Sequence, residues 1–412
     1  MEPSSYSEAV KSEPWRIAMK EELAMIEKKS DLEACGHTRK QEVHQLDVKS
    51  AFLNGLLNEE IYIEQPEGYQ IQGEEGKVYL LKMALYGLKQ APRAWYSRIN
   101  DHLLSLDFVR SPNEHTLYIR EAEDDVMIIS LYVDDLLVIG SNQAQVLEFK
   151  KSMHSEFEMT DLGEMSYFGM KIDQCVDGIF VNQRKYASEV LKKFCIENCK
   201  PVDLPLVPNL KLSKSDEAKK VDEGLYRSLI GCLLYLTATR LDLMYATSLL
   251  SRFMSQPTKT HFKTAKRVLR YVKGSTDFGV WFKRSENLKL VGLSDSDWAG
   301  LTYDMRSTSR YAFFLNCGAI CWLSRKQETV AQSIAKAEYI SDAAAVNQAI
   351  WLRKILEDLK LKQVKPTAIM CDNQSSVAMA KNLMHHRRTK HIKMKFHAVR
   401  EAEKNGEVEL MH

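Results

Sequence analysis

Residues 130–140, SLYVDDLLVIG, set two adjacent carboxylates, Asp134 and Asp135, inside a run of β-branched, aromatic and leucine side chains. A run of that composition reads as buried strand, where an ionised carboxylate is costly unless it is paired or reaches an opening. An apolar arm, a short polar break and a second apolar arm is the pattern of a tight hairpin. The pair is therefore expected at a turn, where carboxylates reach a cleft. Alone the pair is weak as a functional signal, because surface turns often carry Asp.

A third acid gives the pair a possible use. Asp47 ends the apolar pair in QLDV. Three carboxylates brought together from two strand ends repel one another unless divalent cations sit between them. Oxygen-only ligands suit Mg²⁺, and two such ions stabilise the attacking and leaving oxygens of an in-line phosphoryl displacement. The second half of the chain offers the same ingredients. Asp295 closes the strand-like LVGLSDSDW, Glu338 opens an amphipathic helix, and Asp372 ends TAIMCD. Asp297 is a spare acid, better read as a cap or turn residue.

Other segments set the organisation. At 412 residues the chain exceeds one ordinary core, so two or three domains are expected. A helix is predicted from Ser12 with Trp15, Met19, Leu23 and Ile26 at helical spacing, and another after Pro92 with Trp95, Ile99, Leu103 and Leu106 on one face. Residues 201–212, PVDLPLVPNLKL, combine three prolines with a charged tract after them and read as a linker. A mostly helical region follows, and beyond about residue 286 the order is strand, hairpin, helix, strand, a mixed α/β domain. A formal charge of +2 means that a polyanionic partner must be held by local patches. One candidate patch is HHRRTKHIKMKFHAVR, whose His385, His386, His391 and His397 fit no standard zinc spacing. The eight scattered cysteines read as free thiols in a reducing compartment. With no leader-like N-terminus and no long apolar run, the chain reads as intracellular, without a membrane partner.

LYVDDLLVIGSN resembles the Tyr-x-Asp-Asp hairpin of reverse transcriptases, HQLDVKSAFLNG their first carboxylate motif, and ALYGLKQAPRAWY the template-contacting loop of copia-type retrotransposon enzymes. MTDLGEMSYFGMKI, YRSLIGCLLYLTATRLDLMYA, SDSDWAG, CDNQSS and RTKHIK carry the likeness on, in order, along nearly the whole chain. The sequence thus resembles the reverse transcriptase and ribonuclease H region of a copia-type long-terminal-repeat retrotransposon Pol polyprotein. The resemblance implies a fold of class α+β and α/β. Residues 1–40 would be an N-terminal helical segment, 41–205 the polymerase palm and start of the thumb, 206–285 a helical thumb or connection, and 286–412 a ribonuclease H-like domain. It makes Asp47, Asp134 and Asp135 metal ligands of the palm, and Asp295, Glu338 and Asp372 those of the ribonuclease centre, with two Mg²⁺ ions at each. Phe52 would press on the sugar C2′ and exclude a 2′-hydroxyl, while Lys89 and Gln90 would lie against template and incoming nucleotide. The implied partners are an RNA template, an RNA/DNA hybrid and deoxynucleoside triphosphates, in the cytoplasm, in a virus-like particle, or in the nucleus.

The sequence also departs from that pattern. The residues before Asp47 are few and helical where relatives build fingers, the family's EAEY reads KAEY at residues 336–339, YFGM is one residue short, and the chain stops before a last catalytic Asp. The expectation is a degenerate or truncated copy with the fingers largely missing, its polymerase impaired, the alternatives being a non-catalytic nucleic-acid-binding remnant or an inert pseudogene product.

Overall fold

The computed structural model describes residues 42–74, 76–122, 125–164, 169–208, 210–213, 218–285, 287–300, 304–381 and 393–412. The predicted helix from Ser12, the segment expected to lack fingers as far as residue 41, and most of the basic, His-rich patch lie outside these residues.

Strand β1 (Glu42–Val48) runs into a tight 3-10 turn and is followed by a ribbon of β2 (Tyr62–Glu64) and β3 (Val78–Leu80). Helix α1 (Ala91–Ser105) begins with Pro92 in its first turn, where the missing N–H costs nothing, and buries Ala91, Trp95, Ile99 and Leu103 at a spacing of four. A Cβ on Gly55 would lie 2.7 Å from the Trp95 nitrogen, so only glycine lets the chain pass beneath α1.

Next come β4 (Val109–Arg110), β5 (Leu117–Ala122), β6 (Asp125–Tyr132), β7 (Asp135–Gly140), α2 (Gln143–Glu156) and β8 (Met159–Glu164). They join β1 in a six-stranded antiparallel sheet of order β4-β5-β6-β7-β1-β8. One face presents Leu46, Val48, Met127, Ile129, Leu136 and Val138 to α1 and α2 and is dry. Strand alternation sends Gln45, Asp47, Asp135 and Leu137 to the other face.

A three-stranded sheet of order β11-β10-β9 follows, built from β9 (Lys171–Cys175), β10 (Gly178–Asn182) and, a hundred residues on, β11 (Gly279–Lys283). Between β10 and β11 lie α3 (Arg184–Lys193), α4 (Glu223–Leu236), α5 (Leu241–Ser251) and α6 (Lys259–Gly274), which share one apolar core. That core corrects the expected linker. Leu212 is buried and Leu206 and Leu210 pack against the same cluster, and α3 already contributes Ala187, Val190 and Leu191. The prolines kink a segment that its leucines fasten to the bundle.

The last unit is a five-stranded sheet of order β14-β13-β12-β15-β16. Strands β12 (Leu290–Ser296), β13 (Thr308–Leu315) and β14 (Gly318–Lys326) form an antiparallel meander. The long helix α7 (Ile334–Asp358) leads to β15 (Thr367–Cys371), which pairs parallel with β12. Helices α8 (Gln374–Lys381) and α9 (Lys393–Lys404) lead to β16 (Val408–Met411), parallel to β15. Ser333 caps α7 by accepting from the Lys336 N–H, and the Ala- and Val-rich face of α7 packs on Phe313, Ile369 and Leu410. Among the described residues no helix is long and apolar enough to cross a membrane.

Candidate active sites

The Asp pair occupies the turn its sequence implies. Asp134 lies in the β6–β7 turn after Val133, whose φ is 56°, and Asp135 is the first residue of β7. Two contacts hold that strained turn: Trp95 Nε1 donates to the Val133 carbonyl at 2.5 Å, and the Val48 N–H donates to the Asp134 carbonyl at 2.8 Å. Asp47 stands directly opposite Asp135 in the β1–β7 register, so both side chains leave the sheet on its open face. Gln45, two residues along the same face, donates from Nε2 to Asp135 Oδ1 at 2.9 Å. Partial burial, then the charges of Asp134 and Asp135, push the Asp47 carboxyl above its usual range. Asp47 thus feels both neighbouring charges, and the three carboxylates do not cluster as tightly as a second set does.

Phe52, half-buried in the 3-10 turn, meets Tyr86 at a ring-centroid distance of 5.1 Å. Lys89 is exposed, and Gln90 takes the N-cap position of α1 without making a side-chain cap.

The second set converges. One carboxylate oxygen each from Asp295, Glu338 and Asp372 lie within 4.8 Å of one another, and among the described residues no other group of three acids, histidines or cysteines does so. Asp295 comes from the end of β12, Glu338 from the second turn of α7, and Asp372 follows β15 directly. Glu338 is 4 % exposed and points inward, and burial, Asp372, Asp295 and Asp342 together push its carboxyl up to about 8, against a Ser296 N–H bond that favours the charge. Lys336 turns away to hydrogen-bond Gln332, as the 100° step per residue of a helix requires. Asp297 accepts from the Thr308 N–H at 2.5 Å and has the turn-holding role read for it.

Two neighbours were not read from the sequence. Asp342, one helical turn beyond Glu338, is fully buried. Its carboxyl is pushed upward by that burial, and Ser376 Oγ donates to its Oδ2. The i, i+4 spacing of Glu338 and Asp342 was the available signal. Arg310, opposite Asp295 across the β12–β13 pair, brings Nε within 3.2 Å of Asp295 Oδ2. Only the strand register reveals it.

The reverse transcriptase (RNA-dependent DNA polymerase) family profile matches residues 24–208. The chain is 38% identical over 371 residues to the retrovirus-related Pol polyprotein from transposon TNT 1-94 of Nicotiana tabacum, covering 87% of this chain and 28% of that one. It is 35% identical to that from transposon RE1 of Arabidopsis thaliana, covering 90% and 25%. A Ty5-1 transposon protein of Saccharomyces cerevisiae is 32% identical over 305 residues, covering 73% of this chain and 99% of its own length. The chain spans about a quarter of the two plant polyproteins. A double-Asp hairpin beside a third Asp, within a match running through most of the chain, leaves one conclusion: the chain belongs to the reverse transcriptase family of copia-type retrotransposon Pol polyproteins.

Proposed function

We propose that the chain is an RNA-directed DNA polymerase joined to a ribonuclease H, each working by metal-assisted phosphoryl transfer on an RNA/DNA template-primer. The observation that carries the reading is the convergence of Asp295, Glu338 and Asp372 from three separate elements to within 4.8 Å. Carboxylates from a first strand, a following helix and the end of a later strand suit the ribonuclease H arrangement, and an all-oxygen donor set suits a hard divalent cation. The upward push on Glu338 points the same way, since a cation would relieve what its acidic neighbours impose. Bound Mg²⁺ would supply charge stabilisation at the attacking and leaving oxygens.

In the polymerase unit Asp47, Asp134 and Asp135 are the corresponding ligands, held by the β1–β7 register at the open sheet face. Phe52 screens the sugar C2′ so that deoxynucleoside triphosphates are selected, and Lys89 and Gln90 border template and nucleotide. In the ribonuclease unit Asp295, Glu338 and Asp372 would hold the cation, which would supply positive charge to the hybrid's RNA phosphate.

The test is cleavage of the labelled RNA strand of an RNA/DNA hybrid, beside primer extension on an RNA template, both in Mg²⁺. Asp295→Asn, Glu338→Gln and Asp372→Asn each lose about a hundredfold or more in cleavage, whereas Asp47→Asn and Asp135→Asn leave cleavage intact and remove the weak extension expected of an unaltered chain with impaired fingers. Undiminished cleavage by Asp372→Asn rejects the ribonuclease assignment.

A further inference from the structure

Arg310 puts a fixed positive charge beside one member of the proposed metal centre. Asp295 and Arg310 are opposed residues of the β12–β13 pair, so their side chains leave the sheet on one face, and Arg310 Nε lies 3.2 Å from Asp295 Oδ2. An ion pair between half-exposed side chains is ordinarily weak, because solvent screens it and both side chains lose freedom in forming it. Three further restraints apply here. The Arg310 guanidinium lies 5.0 Å from the centroid of Tyr245, a ring contributed by α5 of the helical bundle. The buried Ser341 Oγ sits 2.8 Å from the Asp295 carbonyl and 3.1 Å from that of Arg310, fastening both backbones to α7. The ladder itself sets the register. The arginine is thus placed before any ligand arrives.

Resting on the metal-centre reading above, we propose that Arg310 is a resident counter-cation of Asp295 that competes with a divalent cation for that carboxylate and weakens metal binding at the Asp295–Glu338–Asp372 centre. The guanidinium is permanently charged and cannot leave by losing a proton. A cation entering the centre must either displace it from Asp295 or bind with a positive charge beside it, and both lower affinity. Because Tyr245 belongs to another unit, the strength of the competition depends on how α5 sits against the β12–β13 face.

The experiment uses the metal-stripped full chain and Mn²⁺ as the probe, with free Mn²⁺ counted by electron paramagnetic resonance. The binding component that Asp372→Asn abolishes is assigned to this centre. Arg310→Met keeps an apolar stem against Tyr245 and removes the charge, whereas Arg310→Lys keeps the charge. Arg310→Met is expected to bind Mn²⁺ about tenfold more tightly in that component, and Arg310→Lys within about twofold of the unaltered chain. Equal affinity of Arg310→Met and the unaltered chain overturns the role of Arg310 and leaves the metal centre standing. Equal tightening by both variants also overturns it, since packing rather than charge would then be responsible. No Asp372-dependent binding in any of the proteins overturns both readings. Circular dichroism of each variant confirms the fold in which the titration is read.

Discussion

Glu338 shows how one buried charge makes stability depend on pH. Its carboxyl titrates near 8 in the folded chain because of burial and the adjacent Asp372, Asp295 and Asp342, against 4.5 for an unperturbed glutamate. Between those values the folded state binds the proton that the unfolded state has released, so stability falls as pH rises across this window and levels off above it. Fully expressed, the loss would be about 5 kcal/mol, from ~1.4 kcal/mol per unit; relaxation of the site makes a few kcal/mol the expected scale. Glu338→Gln carries no such charge. In metal-free buffer the variant should match the unaltered chain at pH 5 and be the more stable at pH 8, as read by urea denaturation. A difference that stays constant across that range would mean that Glu338 is not strained by its acidic neighbours. Mg²⁺ should narrow the gap at pH 8 by favouring the carboxylate. Asp342 is buried more deeply still and adds to the same slope, so the comparison with the glutamine variant isolates Glu338.

At the scale of elements, α1 does more than cover the sheet. Trp95 is 2 % exposed, packs edge-on against Phe157 at 5.3 Å and ties its ring nitrogen to the Val133 carbonyl in the Asp turn. Trp95→Ala should cost ~3–5 kcal/mol in chemical denaturation. Trp95→Phe should cost less yet speed hydrogen exchange at residues 133–135, because the left-handed turn loses its anchor; unchanged exchange there would show that the hairpin holds itself. Helix α1 and the hairpin were both legible in the sequence, since period-4 apolar spacing after a proline and two apolar arms around a polar break leave little choice. The strand, hairpin, helix, strand order of the last unit was legible for the same reason. The sheet of β9, β10 and β11 was not, because its third strand lies beyond four helices and nothing local announces that pairing. The apparent linker at 201–212 misled because proline density was weighed above the leucines that dock it. At the sites, the acids could be picked out by type and position, whereas Arg310 depends on a cross-strand register that only the folded sheet fixes.

The whole molecule depends on how its units are joined, and hydrogen bonds tie two of the joints. Strand β14 of the last unit meets the helical bundle through Trp322 Nε1 donating to the Thr237 carbonyl at 2.9 Å and Ser248 Oγ donating to the Ser324 carbonyl at 2.7 Å. A second joint links the end of α7 to the six-stranded sheet. Asp358 accepts from Ser111 Oγ at 2.5 Å and from Asn113 Nδ2 at 3.0 and 3.1 Å, and Lys360 lies 3.6 Å from Glu121 beside it. Ser111 is buried, and its Oγ also accepts from the N–H groups of Asn113 and Glu114, so the loop is shaped around the carboxylate before α7 docks. Hydrogen bonds to a charged acceptor are worth ~1.5–3 kcal/mol each, and a buried donor left without one costs ~1–3 kcal/mol. Helix α7 also carries Glu338 in its second turn, so this joint fixes the helix that presents one acidic cluster to the sheet that carries the other. Asp358→Ala should therefore free the last unit from the sheet while leaving each core intact. Amide exchange should quicken at residues 111–117 and 355–361 with little change at β12 or β6, and urea denaturation should lose ~2 kcal/mol or separate into two transitions. Asp358→Asn keeps an acceptor oxygen and should fall between. If Asp358→Ala leaves exchange at residues 111–117 unaltered, the contact is incidental, and the helical bundle alone sets the spacing of the two acidic clusters.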